Sequence, residues 1–232
     1  MSILSVEHIN TGYEKKQVLF DINFNLQQGE CLLIVGSNGS GKSTLFKAIY
    51  RSLDLWDKNG KIFFNEEDIT KLSTHQLIKK GIVYIPQKDE LFEDLTVLEN
   101  LELSILHLND KNETKKRIGT VLKQVSTLKQ KLNQGINSLS GGERKLLSLA
   151  IALVNKPKVL LFDEPLAGLS GENIDSLIVY LNEIKEQGTT LVLVEHRIKE
   201  LFSLADRVIG LKLGELYNNE LKSLENIKTF ML

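Results

Sequence analysis

The sequence predicts an α/β fold built around a phosphate-binding loop, and three observations predict it. Cys31-Leu32-Leu33-Ile34-Val35 is an apolar run of buried-strand length, and Leu45-Phe46-Lys47-Ala48-Ile49 continues helically. Between them stand Gly36, Ser37, Asn38, Gly39, Ser40, Gly41, Lys42, Ser43 and Thr44, which fit G-x-x-x-x-G-K-[ST] at every fixed position. Second, Ile82 to Ile85, Val159 to Phe162 and Thr190 to Val194 are further apolar runs, separated by stretches with helical periodicity. Third, Ile22, Phe24 and Leu26 alternate with Asp21, Asn23 and Asn25, the period of an antiparallel sheet with one wet face.

The glycine loop has a direct chemical meaning. Its backbone N–H groups turn towards phosphate oxygens, and the helix N-terminus adds partial positive charge at the same place. Lys42 reaches the β- and γ-phosphates, and the Ser43 hydroxyl is offered to Mg²⁺. The chain is therefore expected to bind a nucleoside triphosphate.

Composition narrows what else it does. Of 232 residues, 42% are hydrophobic and 25% charged, ordinary for a globular protein. The net charge of −1 gives no basic field for nucleic acid. No apolar run approaches the roughly 20 residues of a membrane span, so no direct membrane insertion is expected. The first residues lack a basic region and a long apolar core, so no signal peptide is expected either. Cys31 is the only cysteine; it reads as a small buried hydrophobe in a cytoplasmic protein.

Taken in order, Ile3 to Ile9 and Val18 to Leu26 read as strands, Gln28-Gly29 as a turn into the loop strand, and Gly60 to Phe64 as a third strand of the antiparallel layer. Tyr13, between the first two strands, suits stacking on an adenine or packing on the sheet edge; alone it decides neither. Pro86 ends the strand Ile82 to Ile85. Gln87 then opens a loop, where its amide can touch a metal ion and a water; taken alone, it is an exposed loop glutamine. From Lys88 to about Leu139 the spacing predicts helix, with a capping box at Thr96 and Glu99. One stripe is Leu98, Leu101, Ile105 and Leu108, and a second runs Ile118, Val121, Leu122, Val125, Leu128 and Leu132.

Leu139, Ser140, Gly141, Gly142 and Glu143 form another capping box before an apolar helix reaching Val154. A serine hydroxyl, two glycines and a helix N-terminus make a second anion site, separate from the first loop. The strand Val159 to Phe162 ends in Asp163 and Glu164. Carboxylates at the C-terminal end of a buried parallel strand lie beside the phosphate loop in this fold class. Asp163 is expected to bind Mg²⁺ through water and Glu164 to polarise an attacking water. Ala167, Gly168, Leu169 and Ser170 lead into a helix with the stripe Ile174, Leu177, Ile178, Leu181 and Ile184. The strand Thr190 to Val194 delivers Glu195 and His196 to the same strand ends. Ala205 to Gly210 and Leu213 to Leu216 read as a closing strand pair.

These stretches, in this order, resemble the nucleotide-binding subunit of ATP-binding cassette (ABC) transporters from Tyr13 to about Tyr217. The resemblance implies that Tyr13 stacks on adenine, that Gly36 to Thr44 is the Walker A loop, and that Gln87 is the Q-loop glutamine. It implies that Leu139 to Glu143 is the signature, which acts on the nucleotide of a partner chain. Val159 to Glu164 becomes Walker B, Ala167 to Ser170 the D-loop and His196 the switch histidine. The implied architecture is a RecA-like core with a small antiparallel β subdomain (1–87 and 153–232) and an inserted helical subdomain (88–152). The implied cofactors are ATP and Mg²⁺, the latter held by Ser43, Gln87 and Asp163. The implied partners are a second cassette, as homodimer or heterodimer, and integral-membrane permeases, which would hold this cytoplasmic chain on the inner face of the cell membrane.

Within the family the chain resembles the short ATPases of branched-chain amino acid importers, through Asp68-Ile69-Thr70, Leu95 to Leu101 and Glu164 to Ser170. Ser170 stands where many cassettes have aspartate. Pro86-Gln87 stands where one importer type shows proline-glutamate, and leans towards the lipopolysaccharide-transport ATPase. Cassettes of DNA repair and translation carry a long coiled-coil insertion or two cassettes in tandem, and this chain has one loop and one signature. A single buried cysteine argues against iron–sulfur assembly.

Overall fold

The computed structural model describes residues 2–56, 58–88, 90–217 and 223–231. The chain begins with a hairpin of β1 (Ser2–Tyr13) and β2 (Lys16–Gln27), both longer than their alternation suggested. Tyr13 is thus the last residue of β1 rather than part of a free loop. β3 (Cys31–Val35) leads through the glycine loop into α1 (Lys42–Ile49). Then come β4 (Lys61–Phe64), β5 (Glu67–Asp68), α2 (Thr74–Lys80) and β6 (Ile82–Ile85). The middle of the chain holds α3 (Val97–Ser104), α4 (Lys111–Gln124) and α5 (Gly141–Val154). β7 (Val159–Asp163), α6 (Glu172–Glu186), β8 (Thr190–Glu195), α7 (Ile198–Leu201), β9 (Arg207–Lys212), β10 (Glu215–Tyr217) and α8 (Leu224–Met231) complete it.

Two sheets result. The antiparallel one runs β2-β1-β4-β5, and the other runs β10-β9-β3-β8-β7-β6, parallel except for β10. The apolar strands of the second sheet are buried on both faces, and period-two geometry divides their side chains between two cores. Cys31, Leu33 and Val35 of β3, Leu160 and Phe162 of β7, and Leu191 and Leu193 of β8 face the core they share with α3 to α6. Leu32 and Ile34, Val159 and Leu161, and Val192 and Val194 face the other core, filled by α1 and the antiparallel sheet. The parallel sheet is therefore the shared wall of the molecule, and its strand ends lie in one row.

The helical region is less regular than its stripes suggest. Residues 88 and 90–96 are not helical, and 3₁₀ turns at 106–108, 126–131 and 136–138 interrupt the region. Backbone bonds cross the region instead, from Val97 N–H to the Gln134 carbonyl and from Leu98 N–H to the Leu132 carbonyl. The apolar side chains still reach the core, because a 3₁₀ turn also returns every third residue to one face. The last helix, α8, was not expected. It sets Phe230 against Tyr217, with ring centroids 5.3 Å apart.

Candidate active site

The glycine loop takes its shape from backbone constraints. Gly41 lies at φ 108°, where side-chained residues are strained, and a Cβ there would come within 2.8 Å of Leu19. The loop is also tied to the far end of the chain. Gly214, in the β9–β10 turn, donates its N–H to the Ser40 carbonyl at 3.0 Å and accepts from Phe20 N–H at 2.9 Å. Lys42 is buried; its ammonium donates to the Gly36 carbonyl at 2.9 Å and to the Ser37 carbonyl at 3.0 Å. Burial pushes its pKa down, opposed by the carboxylates of Glu164, Asp163 and Glu195.

The strand ends of the parallel sheet bring the remaining groups to this loop. A cavity of about 650 Å³ is lined by Tyr13, Lys42, Ser43, Gln87, Glu164 and His196, with Asn38, Gly39, Gly41 and Thr44 completing the loop side. Tyr13 stands at its edge, its hydroxyl 3.5 Å from Thr44 Oγ1 and its ring 5.9 Å from Lys47 Nζ. Asp163, at the end of β7, hydrogen-bonds the Ser43 hydroxyl and accepts from the Tyr84 hydroxyl at 3.2 Å. Its other oxygen, Oδ1, is buried without a hydrogen-bond partner in the protein. An orphaned carboxylate oxygen beside a serine hydroxyl is an oxygen donor set that suits a hard divalent cation.

Glu164 follows at φ 47°, a left-handed conformation that costs a side-chained residue about 1–2 kcal/mol. Its N–H donates to the Val194 carbonyl at 2.9 Å, which holds the turn against that strain. Glu164 Oε2 accepts from Gln87 Nε2 at 2.6 Å and lies 3.9 Å from His196 Nδ1. The carboxylate able to activate a water is thus held by the loop glutamine.

The second expected anion site stands apart. Ser140 caps α5, accepting from Glu143 N–H at 3.3 Å, while Glu143 accepts from Ser140 N–H at 2.8 Å. An ion pair to Lys131 at 2.8 Å, with the Ser140 bond, holds the Glu143 carboxyl below its ordinary range. Ser140 and Gly141 are exposed, while Leu139 and Gly142 are buried. None of these residues lines the nucleotide cavity. They lie instead beside the loop Ala167–Ser170: a Cβ on Gly141 would sit 4.0 Å from the Gly168 carbonyl, and one on Gly142 would meet Asn173.

Sequence reasoning passed over three groups here. Tyr84 sits in an apolar strand and reads as core. Lys145, one turn into α5, is buried and donates to the Gln87 carbonyl at 3.2 Å. Glu195 is delivered to the strand ends with His196 but is given no role. For Lys145 and Glu195 the available signal was a charged residue inside or at the end of an otherwise apolar run.

Comparison with known proteins agrees with this arrangement. The family described as ABC transporter matches residues 19–167. The probable branched-chain amino acid transport ATP-binding protein LivF of Archaeoglobus fulgidus is 35% identical, covering 94% of this chain and 91% of its own. BraG, a high-affinity branched-chain amino acid transport ATP-binding protein of Pseudomonas aeruginosa, is 32% identical over 92% and 91%. The lipopolysaccharide export system ATP-binding protein LptB of Haemophilus influenzae is 28% identical over 93% and 89%. Among solved structures, the ADP conformation of the cassette MJ1267 superposes with a TM-score of 0.86 at 28% identity, covering 99% and 94%. A dimeric post-hydrolysis structure of the cassette MJ0796 with ADP and phosphate gives 0.83 at 28%, covering 95% and 100%. With this match and these likenesses over nearly its whole length, the chain belongs to the ABC transporter family, as a nucleotide-binding ATPase subunit.

Proposed function

We propose that this ATPase powers uptake of branched-chain or related amino acids through partner permeases, on the inner face of the cell membrane. The observation that carries the substrate class is its likeness to LivF and BraG across nearly the full length of both. What supports the chemistry is the convergence of Lys42, Ser43, Gln87, Glu164 and His196 on one cavity.

In this reading ATP lies along Gly36–Thr44 with its adenine on Tyr13. Lys42 turns its ammonium from the loop carbonyls to the β- and γ-phosphates, a short move within one loop. Ser43, Gln87 and Asp163, the last through water, would hold Mg²⁺. The ion neutralises phosphate charge when bound. Glu164 polarises the attacking water once Gln87 releases its carboxylate, and His196 contacts the γ-phosphate. Ser140, Gly141 and Gly142 act on the nucleotide of a partner cassette, next to that partner's Ala167–Ser170.

The helical subdomain is residues 88–152, and the core is 1–87 with 153–232. A groove of about 240 Å³ between them, lined by Tyr50, Ile78, Pro86, Glu90, Leu91 and Ile151, lies against the Gln87 loop. A permease seated there reaches Glu164 through Gln87. Among the described residues no helix is long and apolar enough to cross a membrane.

A second reading, extraction of a lipid-like molecule, is favoured by Pro86-Gln87 and by the likeness to LptB. Restoring a deletion strain with the wild-type gene or Lys42→Ala separates the two. Import requires that uptake of labelled leucine, isoleucine and valine be lost with Lys42→Ala. Normal uptake together with a defect in surface lipid would sink import in favour of extraction.

A further inference from the structure

Glu195 is fully buried at the end of β8 and does not line the nucleotide cavity, yet every hydrogen bond it makes leads to a loop that does. Its Oε1 accepts from His196 N–H at 2.8 Å and from Arg197 N–H at 3.0 Å, and lies 3.0 Å from His196 Nδ1. Its Oε2 accepts from Leu166 N–H at 3.1 Å, across from β8 in the loop that follows Glu164. Arg197 makes the reciprocal tie, donating to the Leu169 carbonyl at 3.0 Å and the Leu166 carbonyl at 3.4 Å. Loop 164–170 and loop 195–197 are therefore cross-bonded through one buried carboxylate and one guanidinium.

We propose that Glu195 is a positioning residue for ATP hydrolysis. It joins the loop carrying Glu164 and the loop carrying His196 into one unit, and so holds the His196 ring in place beside the nucleotide. This rests on the reading of Glu164 and His196 given above. The chemistry requires a carboxylate. Both of its oxygens accept only, so all three N–H donors are satisfied at once. An amide offers one acceptor and one NH₂, and whichever way it turns, the NH₂ meets an N–H. Held through its backbone N–H, and with Nδ1 packed 3.0 Å from Glu195, the imidazole keeps its place beside the cavity. A ring turned or displaced by about 1 Å costs on the order of 100-fold in turnover.

The test compares Glu195→Gln, Glu195→Asp, His196→Ala and the Glu195→Gln/His196→Ala double variant in the purified full chain. ATP turnover and ATP affinity are both measured. Glu195→Gln should lower kcat roughly 10- to 100-fold while ATP affinity and KM stay within about twofold, since Lys42 and the glycine loop are untouched. In the His196→Ala background the same change should cost clearly less than in wild type, because one of the two groups it positions is gone. Should Glu195→Gln not fold, Glu195→Asp decides. It keeps the charge and the neighbouring N–H bonds but withdraws from Leu166 by about 1.5 Å, one C–C bond, and kcat should again fall alone. Wild-type turnover in the folded Glu195 variants overturns the inference. So does an equal loss in both backgrounds, or a parallel loss of ATP affinity. Full turnover in His196→Ala would instead overturn the role given to the histidine, and the inference with it.

Discussion

Asp163 sets burial against charge. Burial raises its carboxyl above the usual 3.8, although Ser43, Tyr84 and Lys42 pull the other way. A carboxyl whose folded pKa is raised weakens the fold wherever it is ionised, which is the range above that raised value. As pH falls, the weakening disappears, and it is gone below the unfolded value of 3.8. Without nucleotide or Mg²⁺, Asp163→Asn should therefore be more stable than wild type at pH 7. Its Tm should rise by about 2–4 °C for each kcal/mol recovered in a chain of this length. The gain should shrink to nothing as the scans move below pH 4, and ATP turnover should be lost throughout. A Tm gain that grows towards acid would contradict the sign. The positions of Lys42, Ser43, Asp163, Glu164 and His196 were legible because glycine loops and strand-end acids announce themselves in sequence. The roles of Tyr84 and Glu195 were not. Their polar atoms matter through partners about 80 and 30 residues away, and an apolar strand pattern does not tell which neighbour such an atom meets.

At the scale of elements, the β9–β10 turn is the part whose role is least apparent from its residues. Gly214 has φ 82°, and a Cβ there would lie 1.9 Å from the Val18 carbonyl oxygen. Gly214→Ala should destabilise the chain by about 2–4 kcal/mol, through strain and the displaced bonds to Ser40 and Phe20. It should also weaken ATP binding, because the Ser40 carbonyl loses its anchor. Gly29→Ala is the matched control. Its φ is 76°, but nothing lies within 4 Å of the added carbon. It should cost only the left-handed conformation, about 1–2 kcal/mol, and leave ATP affinity alone. Denaturant curves and calorimetry read both, and equal behaviour of the two variants would refute the anchoring role. The strands were legible because their apolar runs are short, uninterrupted and flanked by turn residues. The region 88–139 was read as more helical than it is. Helical spacing counts side chains that return to one face, and 3₁₀ turns with local crossing bonds return them equally well. α8 went unread because its inward residues, Leu224, Ile227 and Phe230, make a stripe of three in a short segment.

For the whole molecule, the decisive fact is that the Ser140 helix start and the cavity around Lys42 do not meet within one chain. Two chains related by a two-fold axis, head to tail, would place each Ser140 on the other's ATP. Glu164→Gln keeps the size of the side chain but polarises water poorly, so with ATP and little Mg²⁺ it should accumulate a dimer in size exclusion. Adding Ser140→Arg should prevent that dimer while leaving ATP affinity of the monomer nearly unchanged. A Glu164→Gln chain that stays monomeric at high concentration, and pairs with no cassette encoded beside it, would refute the arrangement. The parallel-sheet class and the antiparallel layer were visible in the sequence as periods. That the two share a wall was not, because it depends on which face each alternate side chain takes.

The tie between Gly214 and Ser40 also bears on how the protein is made. β3 and its loop leave the ribosome early, but the strands that flank β3 are β8 and β9, and the turn that braces the loop comes later still. A nascent chain that has exposed the whole glycine motif thus has neither neighbour nor brace for it. Nucleotide stabilises only a state that binds it. Cellular ATP therefore helps the growing chain little until residues past 214 have emerged.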